Sequence, residues 1–101
     1  MDVQIRWKAV TRSHDIEDYL AWRLRFAAGR LADRVTAVSA CFEGLNEPGG
    51  GLDKRCAIEL DGALGRLRAE VCDVDLYAAV DRVTDAIGCS MKAAELLRAY
   101  A

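Results

Sequence analysis

Between residues 73 and 97, in the stretch DVDLYAAVDRVTDAIGCSMKAAELL, the apolar residues Leu76, Val80, Val83, Ile87, Met91 and Ala94 recur at steps of three and four. That period predicts a helix with one face to bury. Asp73 or Asp75 stands where an N-cap belongs, because a short carboxylate there accepts from a free N–H of the first turn. A helix striped on one side is stable only when laid against an apolar surface, and the remaining chain must supply that surface.

The surface is written in a different period. Residues 3–8, VQIRWK, place Val3, Ile5 and Trp7 on one side and Gln4, Arg6 and Lys8 on the other, as a strand with one buried face requires. The same alternation puts Val38, Ala40 and Phe42 together in 35–43, Cys56, Ile58 and Leu60 together in 54–60, and Leu67, Ala69 and Val71 together in 65–72. Asp61 and Gly62 offer a tight reversal that makes a hairpin of the last two strands. Between the first and second strands, Ile16, Leu20, Leu24, Ala27 and Leu31 mark another helix over 14–33, with Ser13 as N-cap, His14 at its start and acidic residues in the first turn. Gly29 weakens it near its end. Residues 44–53, GLNEPGGGLD, hold the only proline and four of the eight glycines and read as a mobile loop. The order is βαβββα, an α+β chain in which two helices pack on one face of a four-stranded sheet.

At 101 residues, with no linker and no repeat, the chain is expected to form a single domain over 1–101. It lacks a run of about 18 apolar residues, and its first residues alternate in polarity, so a cytoplasmic protein without membrane contact is expected. Cys41, Cys56, Cys72 and Cys89 are spaced by 15, 16 and 17 residues, too far apart for a metal knuckle or a CxxC pair, and read as reduced apolar fillers. No nucleophile stands beside the one histidine, and the glycines at 49–51 follow a proline instead of linking a strand to a helix. No enzyme, metal or cofactor is expected. The formal charge of −2 lacks the basic surplus of most nucleic-acid binders, yet it is uneven. Residues 1–34 carry seven basic against five acidic side chains, and residues 69–101 carry three against six. Any basic patch therefore belongs to the first third.

Three strings, in this order, carry a resemblance. Val3-Gln4-Ile5-Arg6-Trp7-Lys8, followed by Val10, Ser13 and Ile16, is similar to the I-Q-I-T-G-R-x-V-x-I-T-P-x-L start of the ribosome hibernation promoting factors, also called ribosome-associated inhibitors or sigma-54 modulation proteins. Asp33-Arg34-Val35 is similar to the D-R-I before that family's second strand. Asp75-Leu-Tyr-Ala-Ala-Val-Asp81, with Asp85 four residues on, resembles its D-M-Y-A-A-I-D-x-x-x-D signature. The resemblance implies a fold like that of double-stranded-RNA-binding domains and a function without catalysis. That function is binding to ribosomal RNA of the small subunit, in the channel used by mRNA and tRNA, so that idle ribosomes are kept inactive under stress. The chain looks like the short type, or like the N-terminal domain of the longer members that add a dimerisation domain.

Family members hold RNA with cations projecting from both helices, and phosphate contacts of that kind dominate affinity. Here the resemblance assigns RNA binding to Lys8, Arg12, Arg23, Arg30 and Lys92. Ala86, Cys89, Ala93 and Glu95 occupy positions that are basic in the family, and Phe26 and Gly29 align with frequent lysines. Trp22 and Phe26 lie off the apolar stripe of the first helix, either to stack on a base or to cover the sheet edge. The depleted charge leaves a second reading open, a protein-interaction module that pairs with its twin or another protein through the outer sheet face. There Ala37, Ser39, Cys41, Ala57 and Cys72 are small and uncharged beside Arg6, Lys8, Arg66 and Arg68.

Overall fold

Alternation in the first residues becomes β1 (Asp2–Lys8), in which every second residue turns toward the core. The computed structural model describes residues 2–45 and 53–100. After β1 come α1 (His14–Ala28), a 3-10 helix (Gly29–Arg34), β2 (Val35–Gly44), β3 (Lys54–Gly62), β4 (Leu67–Asp73) and α2 (Leu76–Ala99). The sheet order is β1-β2-β3-β4, with β1 parallel to β2 and the other pairs antiparallel. A parallel pair needs a crossover, and α1 with the 3-10 helix provides it, leaving α1 on the sheet face that α2 also covers. The α+β order βαβββα is the one expected from the two periods.

The core is the layer between helices and sheet. Val38, Ala40, Phe42, Cys56, Ile58 and Leu60 supply its floor, and Leu20, Leu24, Val80, Val83, Ile87 and Met91 its roof, all almost fully buried. The edge strands add Val3, Ile5, Trp7, Leu67, Ala69 and Val71, partly buried against that cluster. Trp7 stacks on Phe42 with ring centroids 4.4 Å apart, which seals the β1 side.

Both helices run in the same direction, since contacts between them rise together in number: Tyr19 with Asp81, Ala27 with Gly88, Arg30 with Glu95. They approach closely at Gly88. A Cβ there would lie 3.1 Å from Ala27 Cβ and 3.2 Å from its carbonyl oxygen, so a bare α-carbon lets the two backbones meet.

Three details differ from the sequence reading. The first helix is α-helical only to Ala28, because Gly29 takes φ 55° and breaks the regular hydrogen bonding, and residues 29–34 continue as a 3-10 helix. Asp61 and Gly62 belong to β3, and the chain reverses over 63–66. Gly62 serves close approach instead: a Cβ would fall 2.1 Å from Arg34 O, and the next amide, Ala63 N–H, donates to that oxygen at 2.8 Å. Trp22 and Phe26 do not cover the sheet edge and stand out from α1, 61% and 71% exposed. Of the two candidate caps, Asp75 accepts from Ala78 N–H at 3.1 Å and Asp73 accepts from Val74 and Asp75 N–H just before the helix. Of the expected loop at 44–53, Leu45 N–H donates to Asp53 O at 2.7 Å, and residues 46–52 lie outside the described residues.

Replacing Gly88 by Val forces a branched side chain into a close contact of the two helices. Gly88→Val is expected to lower stability by about 1–3 kcal/mol, read as a lower urea midpoint at unchanged slope.

Candidate functional site

Four of the five cations assigned from the sequence lie along α1 or beside its end, and Lys8 stands on the other face of the sheet. Lys8 ends β1 and stands exposed on the open face of the sheet, in register with Glu43 of β2. Arg12 lies in the turn before α1, Arg23 in its middle, and Arg30 just past its end. Lys92 sits on α2 beside that same end, where it lines a groove with Phe26 and Arg30. At 15 residues, α1 separates the first pair from the last by about 22 Å.

Three of the five are engaged inside the molecule. Arg12 grips Glu17 with two prongs, Nε to Oε2 at 3.0 Å and Nη2 to Oε1 at 3.1 Å. Trp7 Nε1–H donates to the same Oε2 at 2.8 Å. Arg23, with only 16% of its side chain exposed, donates through Nη2 to Asp85 Oδ1 at 2.9 Å and holds Nε 3.1 Å from Asp81 Oδ1. That Nε is buried and lies outside hydrogen-bond geometry, so Arg23 meets Asp81 as a close ion pair. Arg30 is bidentate on Glu95, at 2.9 and 2.7 Å, and Arg34 approaches the same carboxylate at 3.9 Å. Lys8 and Lys92 have no ion pair among the described residues.

Carboxylate titration follows from these contacts. The Arg12 hydrogen bond, and after it that of Trp7, holds Glu17 below the usual glutamate value. Arg30 does the same to Glu95, and hydrogen bonds led by the Asp75 amide do so to Asp73. Tyr19 O–H donates to Asp81 at 2.5 Å, and that bond raises the tyrosine. Sequence reasoning named the arginines and missed their partners. Glu17 lies five positions from Arg12, but Asp81, Asp85 and Glu95 reach α1 only because the helices run side by side.

A row of rings on the outer helical face was also only half visible. Tyr77 meets Tyr19 edge-on at 5.1 Å, Tyr19 stacks toward Trp22 at 6.2 Å, and Trp22 toward Phe26 at 6.1 Å. The spacing of Tyr19, Trp22 and Phe26, at steps of three and four, was the available signal.

On the opposite face, Arg55 pairs with Glu43 and lies 3.6 Å from Glu70. Arg66 reaches Asp61 at 3.0 Å and Glu59 at 3.4 Å, and Arg68 reaches Glu70 at 3.3 Å. These ions frame a strip of Ala37, Ser39, Cys41 and Ala57. All four cysteines are free thiols. Burial, and then the neighbouring Cys41, pushes Cys56 up to about 12, so it stays protonated as core filler. Among the described residues no group of three or more His, Cys, Asp or Glu is placed to hold a metal ion, and no helix is long and apolar enough to cross a membrane.

Among solved structures, the chain is similar to a ribosomal subunit interface protein from Coxiella burnetii. The two are 14% identical with a TM-score of 0.83, over 95% of this chain and 99% of that one. It is also similar to the N-terminal domain of Protein Y from Thermus thermophilus, at 26% identity and a TM-score of 0.73, over 92% of this chain and 98% of that one. No protein-family model matches the sequence, and no curated protein does.

Glu17 binds a proton less readily in the folded than in the unfolded chain, so its contribution is complete above the ordinary value of 4.5 and fades as pH falls through the lower folded value. Glu95 and Asp73 act in the same direction. The thermal midpoint is therefore expected to fall below about pH 4.5, less steeply in Glu17→Gln than in wild type, as calorimetry across pH 2–6 will show.

Proposed function

We propose, from the premise that this chain resembles the ribosome hibernation promoting factor family in both local sequence and fold, that it is a ribosome-associated factor acting by occupancy and without catalysis. The finer reading is that it binds ribosomal RNA of the small subunit. The observation that carries the proposal is the coincidence of two independent likenesses: strings in the family's order, and a fold shared with a ribosomal subunit interface protein and with the N-terminal domain of Protein Y over more than nine-tenths of each chain.

Within this reading Lys8 and Lys92 meet phosphate directly. Arg12, Arg23 and Arg30 do so by exchanging an internal carboxylate for a phosphate. Such an exchange is accessible for Arg30, whose own side chain is largely exposed, so that water screens its pairing with Glu95. It is hardest for Arg23, which is mostly enclosed and shared between two aspartates.

Salt dependence separates these contributions. Log affinity for the 30S particle against log salt has a slope of roughly −1.4 if the two lysines act alone and roughly −3.5 if all five cations engage, taking the coefficient for single strands. Co-sedimentation with purified 30S and 70S particles across a salt series measures it. Glu95→Gln, which releases Arg30, is expected to strengthen binding about two- to fivefold. Absence of any particle-bound fraction at low ionic strength and micromolar protein rejects the reading.

A second reading, self-association through the open sheet face, draws on the uncharged strip framed by ion pairs on β3 and β4. It predicts a dimer in sedimentation equilibrium at about 100 micromolar, weakened by Ala57→Lys. A strict monomer that binds ribosomes removes it.

A further inference from the structure

The rings on the outer helical face play no part in the phosphate contacts proposed above, and they are costly to leave in water. Trp22 and Phe26 are mostly exposed, Tyr77 is 44% exposed, and none of the three belongs to the core cluster. With Tyr19 they form one continuous row in which neighbouring rings touch. At Phe26 the row opens onto a groove of about 400 Å³ lined by Phe26, Ala27, Asp85, Gly88, Cys89 and Lys92. The groove exists because small residues meet where the helices are close.

Charge decides what the row can receive. Asp15 and Asp18 each lie four residues before a ring of the row, Tyr19 and Trp22, and hence beside it on the helix surface. Asp81 and Asp85 line the α2 side, and the Asp85 side chain is 72% exposed. Arg23 sits with its guanidinium carbon 5.9 Å from the Phe26 centroid, but both aspartates already occupy it, and Arg25, exposed three residues past Trp22, has no ion pair among the described residues. Lys92 stands only at the far end. A nucleic acid stacking its bases here would bring phosphates beside four carboxylates, with only Arg25 and Lys92 unpaired to meet them. A cationic side chain meets the reverse situation: an aromatic face to lie on, and an aspartate with lone pairs to spare.

We propose that the Tyr77–Tyr19–Trp22–Phe26 row with its aspartate margin is a docking surface for a basic protein segment, whose arginines or lysines lie over Trp22 and Phe26 and pair with Asp18 and Asp85 while an apolar side chain enters the groove. This goes beyond ribosome association and holds whether or not that reading stands. Most of the binding energy in such a surface concentrates in a few exposed rings.

The test uses the full chain and two labelled probes, an alternating Arg-Leu peptide of about 15 residues and an oligouridine of the same length, followed by fluorescence anisotropy. Wild type is expected to bind the peptide in preference to the oligouridine. Peptide affinity should fall at least about tenfold in Trp22→Ala/Phe26→Ala and about fivefold in Asp18→Lys/Asp85→Lys. It should be unchanged in Asp2→Lys, on the open sheet face. Circular dichroism confirms folding, and Phe26→Ala alone, at the most exposed ring of the row, replaces the double variant if that unfolds. The proposal is overturned if wild type does not bind the peptide, if the ring variants bind it equally well, or if the oligouridine binds more tightly and loses affinity on the same substitutions.

Discussion

Burial of a single sheet face by two helices running side by side is the constraint on which the rest of this molecule depends. Each strand alternates, so each contributes one apolar side, and the four sides coincide only when the strands are paired in one register. The central strands bury Phe42 and Ile58 completely, and both helices are needed to roof them. Once α1 and α2 share a roof they are forced together, and at Gly88 they meet so closely that even a Cβ would crowd Ala27. The same closeness decides which charges face each other.

Those charges explain why several of the seven basic residues in the first third are engaged inside the molecule. α2 brings Asp81, Asp85 and Glu95 up against α1, where they take Arg23 and Arg30, while Glu17 takes Arg12. The ion pairs differ in depth. Arg30 and Glu95 meet near water, where the attraction is screened and partners exchange readily. Arg23 is largely enclosed between two acidic neighbours and behaves as a structural bolt between the helices. The helical layer therefore presents aromatic rings and carboxylates along its middle, with lysine at one end, and the open sheet face presents a small uncharged strip within a frame of paired ions.

Much of the architecture was legible in the sequence because it rests on periodicity, a local property. The alternation of Val3, Ile5 and Trp7 and the helical spacing from Leu76 to Met91 each fixed an element and its buried side without knowledge of any neighbour. The local misreadings have physical causes. Gly62 looked like a turn glycine, but it is needed where β3 passes the Arg34 carbonyl, a contact with a residue 28 positions away. Gly29 looked like a weak point inside a helix, but its left-handed φ ends the α-helix there. Trp22 looked able to cover the sheet, although the two helices already complete that cover.

By itself, then, the sequence determined the order of strands and helices, the side each one buries, the cap at Ser13, the choice of Asp73 or Asp75 for the second cap, and the family strings. All of these depend on residues within a turn or two of one another. Only the tertiary structure decided which cations are free, which carboxylates hold the others, and that Tyr77 joins Tyr19, Trp22 and Phe26 in one row. Apart from the pairing of Arg12 with Glu17, those facts depend on residues about 58 to 65 positions apart, and their meeting is set by how two helices lie on a sheet. Electrostatic pairing acts over a few ångströms in space and leaves no periodic trace along the chain.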